Sequence, residues 1–327
     1  MNQYQIGNNL EIVRDIKCDL IYIDPPYNTG RDFGDYNDKW KSMKIYAEEF
    51  LRPRLNLCHS ILKDSGNIVV HIEPKNSHWV RFLLDDIFGE KNFRNEIVWK
   101  TGGHAKNKKQ LGRMHDTILV YSKTSKFTFN PQYHPYDEEY LSKTKTDARG
   151  QYTTTAIHNS QPEVNPRLNL RYEWNGHSKQ WYTTKENMQQ LHDEDRLAYN
   201  TNGVPRVKRY VHELDGIPIT DLWTDISNTQ NGEKVDYATQ KPVKLLDRII
   251  KMYSNENDLV VDIFAGSGTT GISAIGNNRN YYLFDINPKG KQIFDERIKA
   301  NDCQASGYWD APTSPAPATL FDNLESR

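Results

Sequence analysis

A glycine-rich segment between a predicted strand and a predicted helix is the feature that most limits the fold of this chain. We call residues 262–271 the glycine loop; Gly266, Gly268 and Gly271 follow an apolar run there with the spacing G-x-G-x-x-G. Glycines at this spacing let the backbone approach a nucleoside cofactor closely at the start of a helix. Asp285 ends the next predicted strand, where a carboxylate can accept hydrogen bonds from paired ribose hydroxyls. The pattern predicts an α/β fold.

The second motif is a stiff, acidic segment at residues 24–30, which we call the acidic turn. It follows the apolar run 20–23, a predicted buried strand, and begins Asp24-Pro25-Pro26-Tyr27. The prolines fix their φ angles and leave only carbonyl acceptors, the aspartate adds an anionic acceptor, and the tyrosine adds a ring that stacks on planar substrates. In open α/β sheets, ligands bind at the carboxyl ends of strands. We expect this turn to hold an exocyclic amine of a nucleobase; the alternative is an ordinary proline-rich turn.

The glycine loop alone leaves two cofactors open, a nicotinamide dinucleotide and S-adenosylmethionine. Asp262 precedes the glycines, where its charge repels a pyrophosphate but attracts a sulfonium cation. No basic residue near the loop offers a phosphate a partner, and no arrangement of His, Lys or Tyr suits hydride transfer. The acidic turn suits an amine nucleophile instead. These observations favour S-adenosylmethionine.

The rest of the chain alternates between helical and strand periodicity on both sides of an irregular middle region. Further helices are predicted at 44–63, 76–88, 243–253 and 288–299, and further strands at 68–72, 93–100, 116–122 and 281–285. Residues 65–67 are predicted to break the first of these helices. The middle region, 124–237, is rich in turns and aromatic residues, which predicts a mixed, β-leaning insert. We expect its aromatic side chains to form a small core more often than a base-stacking surface.

A basic segment lies between the predicted strands 93–100 and 116–122. The whole chain is balanced, with 42 basic and 43 acidic residues, so any contact with nucleic acid must come from local clusters. Between Trp99 and Lys126 there are seven lysines and arginines against a single acidic residue. We expect contacts with DNA phosphates from four of them, Lys106, Lys108, Lys109 and Arg113. The alternative is a solvated basic loop.

The two motifs, in this order, resemble those of the amino-methylating DNA methyltransferases. The adenine-directed group of that family carries its D-P-P-Y turn before its F-x-G-x-G loop, as this chain does at 24–27 and 264–268. The forms D-P-P-Y-N-T-G at 24–30 and T-Q-K-P at 239–242 are similar to the modification subunits of type III restriction systems and their stand-alone relatives. The resemblance covers about residues 4–300, and the short length favours a stand-alone enzyme.

The resemblance implies a circularly permuted, Rossmann-like sheet of an S-adenosylmethionine-dependent methyltransferase, with an inserted mixed α/β target-recognition domain. It assigns residues 1–123 to the catalytic half, 124–237 to the target-recognition domain and 238–300 to the cofactor-binding half. Residues 301–327, rich in Pro, Ala, Ser and Thr, are predicted to be a flexible or loosely docked tail. The chain departs from the family pattern at Asn8, where an acid is common, and at Ile263, where proline is common.

The resemblance also implies a reaction, the transfer of a methyl group from S-adenosylmethionine to the exocyclic amine of adenine at specific sites in DNA. Asp24 and the Pro25 carbonyl would accept the hydrogens of the amine, next to Pro26, and Tyr27 would stack on a base flipped out of the duplex. The residues implied to contact the cofactor are Gln240, Lys241, Pro242, Asp262, Phe264, Gly266, Ser267, Gly268, Thr269 and Asp285. The alternatives are the amine of cytosine, a base in RNA, an NAD-dependent oxidoreductase and a non-catalytic DNA-binding protein. The cytosine enzymes of the family usually carry serine in place of Asp24, which favours adenine.

Cysteine usage and hydropathy bear on compartment and partners. Cys18, Cys58 and Cys303 are far apart, which predicts reduced thiols and no metal site. No apolar run reaches the roughly 18 residues that a membrane helix needs, and the N-terminus lacks a signal-peptide pattern, so we expect a protein of the cytoplasm of a bacterium or of a phage host. The expected partners are double-stranded DNA and, through Leu320 and Phe321, a second copy of the chain or a restriction-system protein. The DNA recognition sequence does not follow, because no code relates an irregular insert to bases.

Overall fold

A computed structural model describes residues 2–11, 16–30, 38–102, 109, 111–229 and 233–300. The chain divides into two compact units. The first comprises the described residues up to Gln132 and from Ile219 onward, and the second is Tyr133–Pro218. The second unit lies within the segment 124–237 that the sequence suggests as an insert. The tail, with Cys303, Leu320 and Phe321, and the basic residues Lys106 and Lys108 lie outside the described residues.

Helices and strands alternate in the first unit, whereas the second unit is mainly β-structure. The strands of the described chain are β1 (Asn2–Ile6), β2 (Cys18–Ile23), β3 (Leu62–Ile72), β4 (Phe93–Lys100), β5 (His115–Ser122), β6 (Tyr133–His134), β7 (Lys145–Asp147), β8 (Gly150–Ala156), β9 (Arg171–Trp174), β10 (His177–Gln180), β11 (Leu197–Tyr199), β12 (Pro205–Tyr210), β13 (Ile217–Pro218), β14 (Leu222–Trp223), β15 (Leu259–Asp262) and β16 (Asn280–Asp285). The α-helices are α1 (Met43–Ile45), α2 (Arg52–Ile61), α3 (Ser77–Phe88), α4 (Glu138–Ser142), α5 (Lys185–Asp193), α6 (Val243–Tyr253), α7 (Thr269–Gly276) and α8 (Pro288–Lys299). A π-helical segment, Tyr46–Leu51, joins α1 to α2.

Within the described residues, eight strands form the central sheet of the first unit in the order β1-β16-β15-β2-β3-β5-β4-β14. Neighbouring strands are parallel except that β5 runs antiparallel to both β3 and β4. Every residue of β2 is buried, as expected for a parallel strand covered on both faces of the sheet. One face packs against α6, α7 and α8, and the other against α2 and α3. The predicted α/β fold is confirmed.

The spatial order of the strands brings together two segments that are distant in sequence. β2 leads into the acidic turn and β15 leads into the glycine loop, and these strands are direct neighbours, with Leu20 opposite Val260 and Ile21 opposite Val261. Parallel neighbours present their carboxyl ends at the same edge of a sheet. The permuted strand order therefore places the acidic turn beside the glycine loop.

Several element boundaries differ from the sequence prediction, and the largest difference is at the start of β3. The first long helix ends at Ile61, and β3 begins at Leu62 rather than at residue 68, because Leu62 already pairs with Cys18 of β2. Gly66 lies inside β3, where it allows a close approach to β2, since a Cβ at this position would lie 2.9 Å from the backbone oxygen of Asp19. β15 ends at Asp262 because its side chain accepts a hydrogen bond from the Phe264 amide and so starts the glycine loop.

The second unit has a small core of its own. Its largest sheet is antiparallel, in the order β11-β12-β8-β7. Trp181 is fully buried beside Met188 and Leu191 of α5, and its indole N–H donates to the backbone oxygen of Tyr172. Tyr210 is also fully buried. Large aromatic side chains of this unit thus serve its core, as the sequence predicts.

Two features are absent from the described part of the chain. None of its helices is both long and apolar enough to cross a membrane. No group of three or more His, Cys, Asp or Glu side chains in it is arranged to hold a metal ion.

Candidate active site

The acidic turn and the glycine loop open into one cavity of about 480 Å³ at the carboxyl ends of β2 and β15. The predicted site residues that line it are Asp24, Pro25, Pro26, Tyr27, Arg113, Gln240, Lys241, Asp262, Phe264, Gly266, Ser267, Thr269 and Asp285. Pro242 and Gly268 contribute differently, as the N-cap residues of α6 and α7. The structure therefore gathers the two motifs and the T-Q-K-P segment at one edge of the sheet.

Side chains from outside the motif hold the acidic turn in shape. Asp38 accepts from the backbone amides of Asn28, at 2.6 Å, and Thr29, at 2.8 Å. Asn76, just before α3, donates to the backbone oxygen of Tyr27 at 2.5 Å. Asp38 and Asn76 are both buried, and sequence reasoning missed them. Each is a polar residue that becomes buried on folding, and the sequence alone does not show that burial.

Both oxygens of the Asp24 carboxylate already have partners within the chain. Oδ1 accepts from the Tyr27 hydroxyl at 2.5 Å, and Oδ2 forms an ion pair with Nζ of Lys241. The same Nζ lies 3.4 Å from the Tyr27 oxygen and 5.6 Å from the centre of its ring. The sequence suggested Lys241 as a contact to the cofactor, but here its ammonium group lies against the oxygen that the target amine would need. The side chains of Asp24 and Lys241 are 17% and 15% exposed, so little water screens their attraction.

The start of α6 is occupied by a carboxylate that sequence reasoning missed. Glu233 accepts from the Val243 amide at 2.5 Å, within the first turn of this helix. Gln240 fixes the same segment, because its side chain donates to the Glu233 backbone oxygen and accepts from the Val235 amide. Burial raises the pKa of Glu233. A helix N-terminus attracts anions, so Glu233 stands where a carboxylate of a ligand would bind.

Two aspartates shape the glycine loop. Asp262 accepts from the Phe264 amide at 2.9 Å and from the Thr270 hydroxyl at 2.6 Å. Asp285 accepts from the Gly266 amide at 2.8 Å. Gly268 has a φ of +75°, and a Cβ there would overlap the ring of Phe294 in α8. The loop conformation thus depends on glycine and on these carboxylates.

The carboxylates of Asp262 and Asp285 are difficult to ionise. The pKa of Asp262 is raised to about 7, mainly by burial; the charges of Asp24 and Asp285 act in the same direction, and its hydrogen bonds from Thr270 and Phe264 act in the opposite one. Burial likewise raises the pKa of Asp285, against hydrogen bonds from backbone amides. A bound cation would relieve this cost by stabilising the charged forms.

The N-terminal residues complete the wall of the cavity. Tyr4 of β1 donates to the Gly266 backbone oxygen at 2.7 Å, and Asn9 donates to that of Ile263 at 2.8 Å. Asn8, where the family commonly has an acid, lines the cavity as well. The residue that departs from the family pattern is therefore one that lines the cavity.

The cavity fits an S-adenosyl cofactor in charge and shape. Asp24, Asp262 and Asp285 line it and suit a sulfonium cation, while Arg54, Arg113 and Lys241 line it as well and suit a ligand that also carries a carboxylate. Phe264 and Ile286 add apolar surface, and Ile286 is 71% exposed, so its side chain is available for a contact. The glycine loop supplies the close backbone approach that a nucleoside needs.

The basic segment is only partly described. Lys109 is exposed. Arg113 forms an ion pair with Glu73 and lines the cavity. Their predicted contact with DNA phosphates stays a prediction, as does that of Lys106 and Lys108, which are outside the described residues.

Comparison with known proteins gives one family. A family model for DNA methylase matches residues 18–296. Among curated relatives, the type II methyltransferase M.EcaI of Enterobacter cloacae is 34% identical over 275 residues, which is 80% of this chain and 60% of that protein. The StyLTI Mod subunit of a type III restriction-modification enzyme from Salmonella typhimurium LT2 is 28% identical, covering 85% of this chain and 50% of that protein. The DNA adenine methyltransferase YhdJ of Escherichia coli K12 is 27% identical, covering 82% of this chain and 72% of that protein. The chain thus spans 60% and 50% of the lengths of the first two relatives.

Solved structures share the fold at low sequence identity. The PvuII DNA methyltransferase, described as cytosine-N4-specific, has a TM-score of 0.54 at 17% identity, covering 93% of this chain and 91% of that one. The M1.HpyAVI complex with S-adenosylmethionine has a TM-score of 0.50 at 16% identity, covering 91% of this chain and 99% of that one. These similarities confirm the fold.

Proposed function

The chain belongs to the DNA methylase family, whose model matches residues 18–296, and on this premise we propose that it transfers a methyl group from S-adenosylmethionine to the exocyclic amine of adenine in DNA. One observation carries the proposal. The acidic turn, which suits an amine, and the glycine loop, which suits a nucleoside cofactor, line the same cavity although more than 230 residues separate them in sequence.

Asp24 and Pro25 are proposed to activate the amine. The nitrogen of adenine's amine is a poor nucleophile because its lone pair is delocalised into the ring. Acceptors at the Asp24 carboxylate and the Pro25 carbonyl would favour a pyramidal nitrogen with a localised lone pair. This interaction strengthens as positive charge develops on the nitrogen, so it acts on the transition state. Lys241 has to leave Asp24 before the amine can bind there.

The cofactor, when bound, supplies an electrophilic methyl group on a sulfonium centre. Asp262 would face its positive charge, Asp285 its ribose, and Phe264 with Ser267 and the loop glycines its adenosine. Thr269, the first residue of α7, lies in the same loop and is a further proposed contact. The N-terminus of α6, behind Pro242, and the Lys241 ammonium group would hold its carboxylate, where Glu233 and Asp24 are their present partners. Gln240 would keep this segment in place through its hydrogen bonds to residues 233 and 235.

Adenine is favoured as the target base by two observations. Asp24 stands where cytosine-directed relatives usually carry serine, and the similar protein YhdJ is named as a DNA adenine methyltransferase. The structural similarity to a cytosine-N4-specific enzyme is one of fold and does not decide the base. The amine of cytosine is therefore the second candidate.

DNA recognition is proposed for the insert and the basic segment. Residues 124–237 would read the target sequence as a target-recognition domain between the halves 1–123 and 238–300. Lys106, Lys108, Lys109 and Arg113 would contact phosphates, and the target base would be flipped out of the duplex towards Tyr27. The similarity to a Mod subunit supports association with a restriction system; a homodimer and a place in the bacterial or phage-host cytoplasm complete the proposal.

The proposal is tested by expressing the chain in cells that lack DNA methylation and sequencing the modified bases of their DNA. We expect N6-methyladenine at one recurring sequence, and none in cells that express Asp24→Ala. Detection of N4-methylcytosine instead would show that the target base is cytosine, the second candidate. Unmodified DNA, together with purified protein that binds no S-adenosylmethionine, would overturn the proposed function.

A further inference from the structure

A chain of three buried polar side chains crosses the sheet beneath the acidic turn. Tyr22 of β2, His71 of β3 and Asp116 of β5 lie on adjacent strands. The Tyr22 hydroxyl is 3.0 Å from Nδ1 of His71, and Nε2 of His71 is 3.2 Å from Oδ2 of Asp116. His71 is fully buried, and its ring contacts those of Tyr27 and Trp99. The chemistry proposed above uses none of these three groups.

The chemistry of these groups fixes the direction of both hydrogen bonds. Burial would raise the pKa of Asp116, but the hydrogen bond from His71 and the charges of Lys241 and Arg113 lower it overall, so Asp116 is an anionic acceptor. Burial, and then the charge of Lys241, lower the pKa of His71 in spite of Asp116 and Asp24, so its ring is neutral. The single ring hydrogen must then be on Nε2, facing Asp116, and Nδ1 can only accept. Tyr22 therefore donates to His71.

This direction determines what Tyr22 offers to the cavity. Tyr22 lines the cavity and lies two residues before Asp24 on the same strand end. Since its hydrogen is committed to His71, its oxygen can meet a ligand only with its lone pairs. The charges of Asp24 and Asp262 both act on Tyr22, which lies on the strand next to β15. The oxygen is thus an acceptor of fixed direction on a residue that lines the cavity just before the acidic turn.

The hydrogen-bonded series Tyr22–His71–Asp116 is not arranged for stability alone. Oδ1 of Asp116 is buried and has no hydrogen-bond partner among the described residues. An unsatisfied buried acceptor lowers stability because its lost hydration is not replaced, and a partly satisfied polar network is less stable than an apolar core of the same shape. A role in the site explains why such a network lies directly beneath it.

We propose that Tyr22 stabilises the positive charge of the reacting groups through its oxygen, and that His71 and Asp116 are positioning residues that keep the hydroxyl hydrogen turned away from the cavity. The inference rests on the proposed function, because the positive charge is that of the sulfonium cofactor and of the methylated amine. It adds a neutral acceptor oxygen to the carboxylates of Asp24 and Asp262, and this oxygen needs no ionisation of its own.

The test compares the binding of two ligands that differ in this charge, S-adenosylmethionine, a sulfonium cation, and S-adenosylhomocysteine, its neutral thioether. Calorimetry gives both dissociation constants for the wild type, Tyr22→Phe, Asp116→Leu and the double variant. Tyr22→Phe should weaken S-adenosylmethionine about five- to tenfold and S-adenosylhomocysteine by less than twofold. Asp116→Leu, which frees the direction of the histidine, should weaken S-adenosylmethionine in the same selective way, and it should add nothing to Tyr22→Phe in the double variant.

The matched control is Tyr121→Phe. Tyr121 is a fully buried tyrosine of the same sheet whose hydroxyl donates to a different carboxylate, that of Asp85, and it does not line the cavity. It should leave both constants unchanged. Equal losses for the two ligands in Tyr22→Phe, or additive losses in the double variant, would overturn the inference while the proposed function stands. A wild-type protein that binds neither ligand would instead overturn the proposed function.

Discussion

The acidic turn and the glycine loop end neighbouring strands, yet they are built in opposite ways. In the acidic turn, prolines stiffen the backbone and the reactive groups are side chains, with Asp24 paired to Tyr27 and Lys241. In the glycine loop the backbone is the proposed binding surface, and the carboxylates of Asp262 and Asp285 fix its conformation by accepting hydrogen bonds from its amides. A substitution in the turn should therefore change chemistry while the fold persists. A substitution in the loop should change binding and stability together.

Asp24→Ala gives the largest expected effect and tests the turn side of this contrast. Methyl transfer should fall by on the order of 10²–10³-fold, because the main acceptor for the amine is lost. The affinity for S-adenosylmethionine should change by less than about twofold. Single-turnover transfer with labelled cofactor and calorimetry measure the two quantities. Asp64→Ala, at a side chain that is 87% exposed, is the control. Lost cofactor binding with residual transfer would contradict the assignment.

Gly268→Ala, compared with Gly30→Ala, sharpens the contrast on the loop side. The two glycines have nearly equal φ angles, +75° and +76°, but a Cβ at Gly30 has no neighbour within 4 Å, whereas one at Gly268 overlaps Phe294. The strain of the left-handed backbone should cost each variant about 1–2 kcal/mol of unfolding free energy. The overlap should add about 1–3 kcal/mol for Gly268→Ala alone and weaken the cofactor. Urea unfolding measures the two free energies of unfolding, and calorimetry measures cofactor affinity. Equal free energies for the two variants would mean that the glycine loop accommodates a methyl group as easily as the acidic turn does.

Lys241→Met tests whether this lysine binds the cofactor or acts as part of the acidic turn. If its ammonium group moves to the cofactor carboxylate, the variant should bind S-adenosylmethionine about tenfold more weakly, equivalent to about 1.4 kcal/mol. Lys251→Met, at the other end of α6, is the control and should bind normally. Unchanged affinity with a changed transfer rate would assign Lys241 to the acidic turn instead.

Asp262→Asn should remove a pH dependence of cofactor binding. Because the pKa of Asp262 is about 7 and a cation favours its ionised form, S-adenosylmethionine should bind the wild type about tenfold more tightly at pH 8 than at pH 6. The same raised pKa gives the folded state a proton between about pH 4 and 7 that the unfolded chain lacks, so this group's contribution to stability falls as pH rises through that window. Calorimetry at both pH values, with neutral S-adenosylhomocysteine as the reference ligand, measures the first effect. A tenfold change that persists in Asp262→Asn would assign it to another group.

Local patterns were enough to predict much of the fold and the identity of the two motifs. Strand Phe93–Lys100 and helix Pro288–Lys299 agree with their predicted limits, because periodicity and an initial proline are written in consecutive residues. Asp24 and Asp262 were found because each adjoins a recognisable turn. Gly66 was misjudged as a helix breaker, since only the pairing of β2 with β3 shows that it serves a close approach between strands.

The remaining parts of the site depend on contacts between distant segments. Glu233 reaches the start of α6, Lys241 turns towards Asp24, and Tyr22 meets His71 only through the register of β2 and β3. None of these side chains belongs to a motif that identifies its partner. Sequence reasoning could name Lys241 but could not give its direction, because that depends on which charge lies within reach after folding.

The pairing of β1 with β16 has a consequence for how the protein is made. Asn2 lies opposite Tyr281, and Tyr4 donates to the backbone oxygen of Gly266, so segments that are about 260–280 residues apart in the sequence have to meet. At about 5–20 residues per second, the N-terminal strand waits about 15–60 s for its partner. The wall of the cavity therefore forms only after β16 has been synthesised. A partly made chain should be unable to bind the cofactor, however well its acidic turn is already folded.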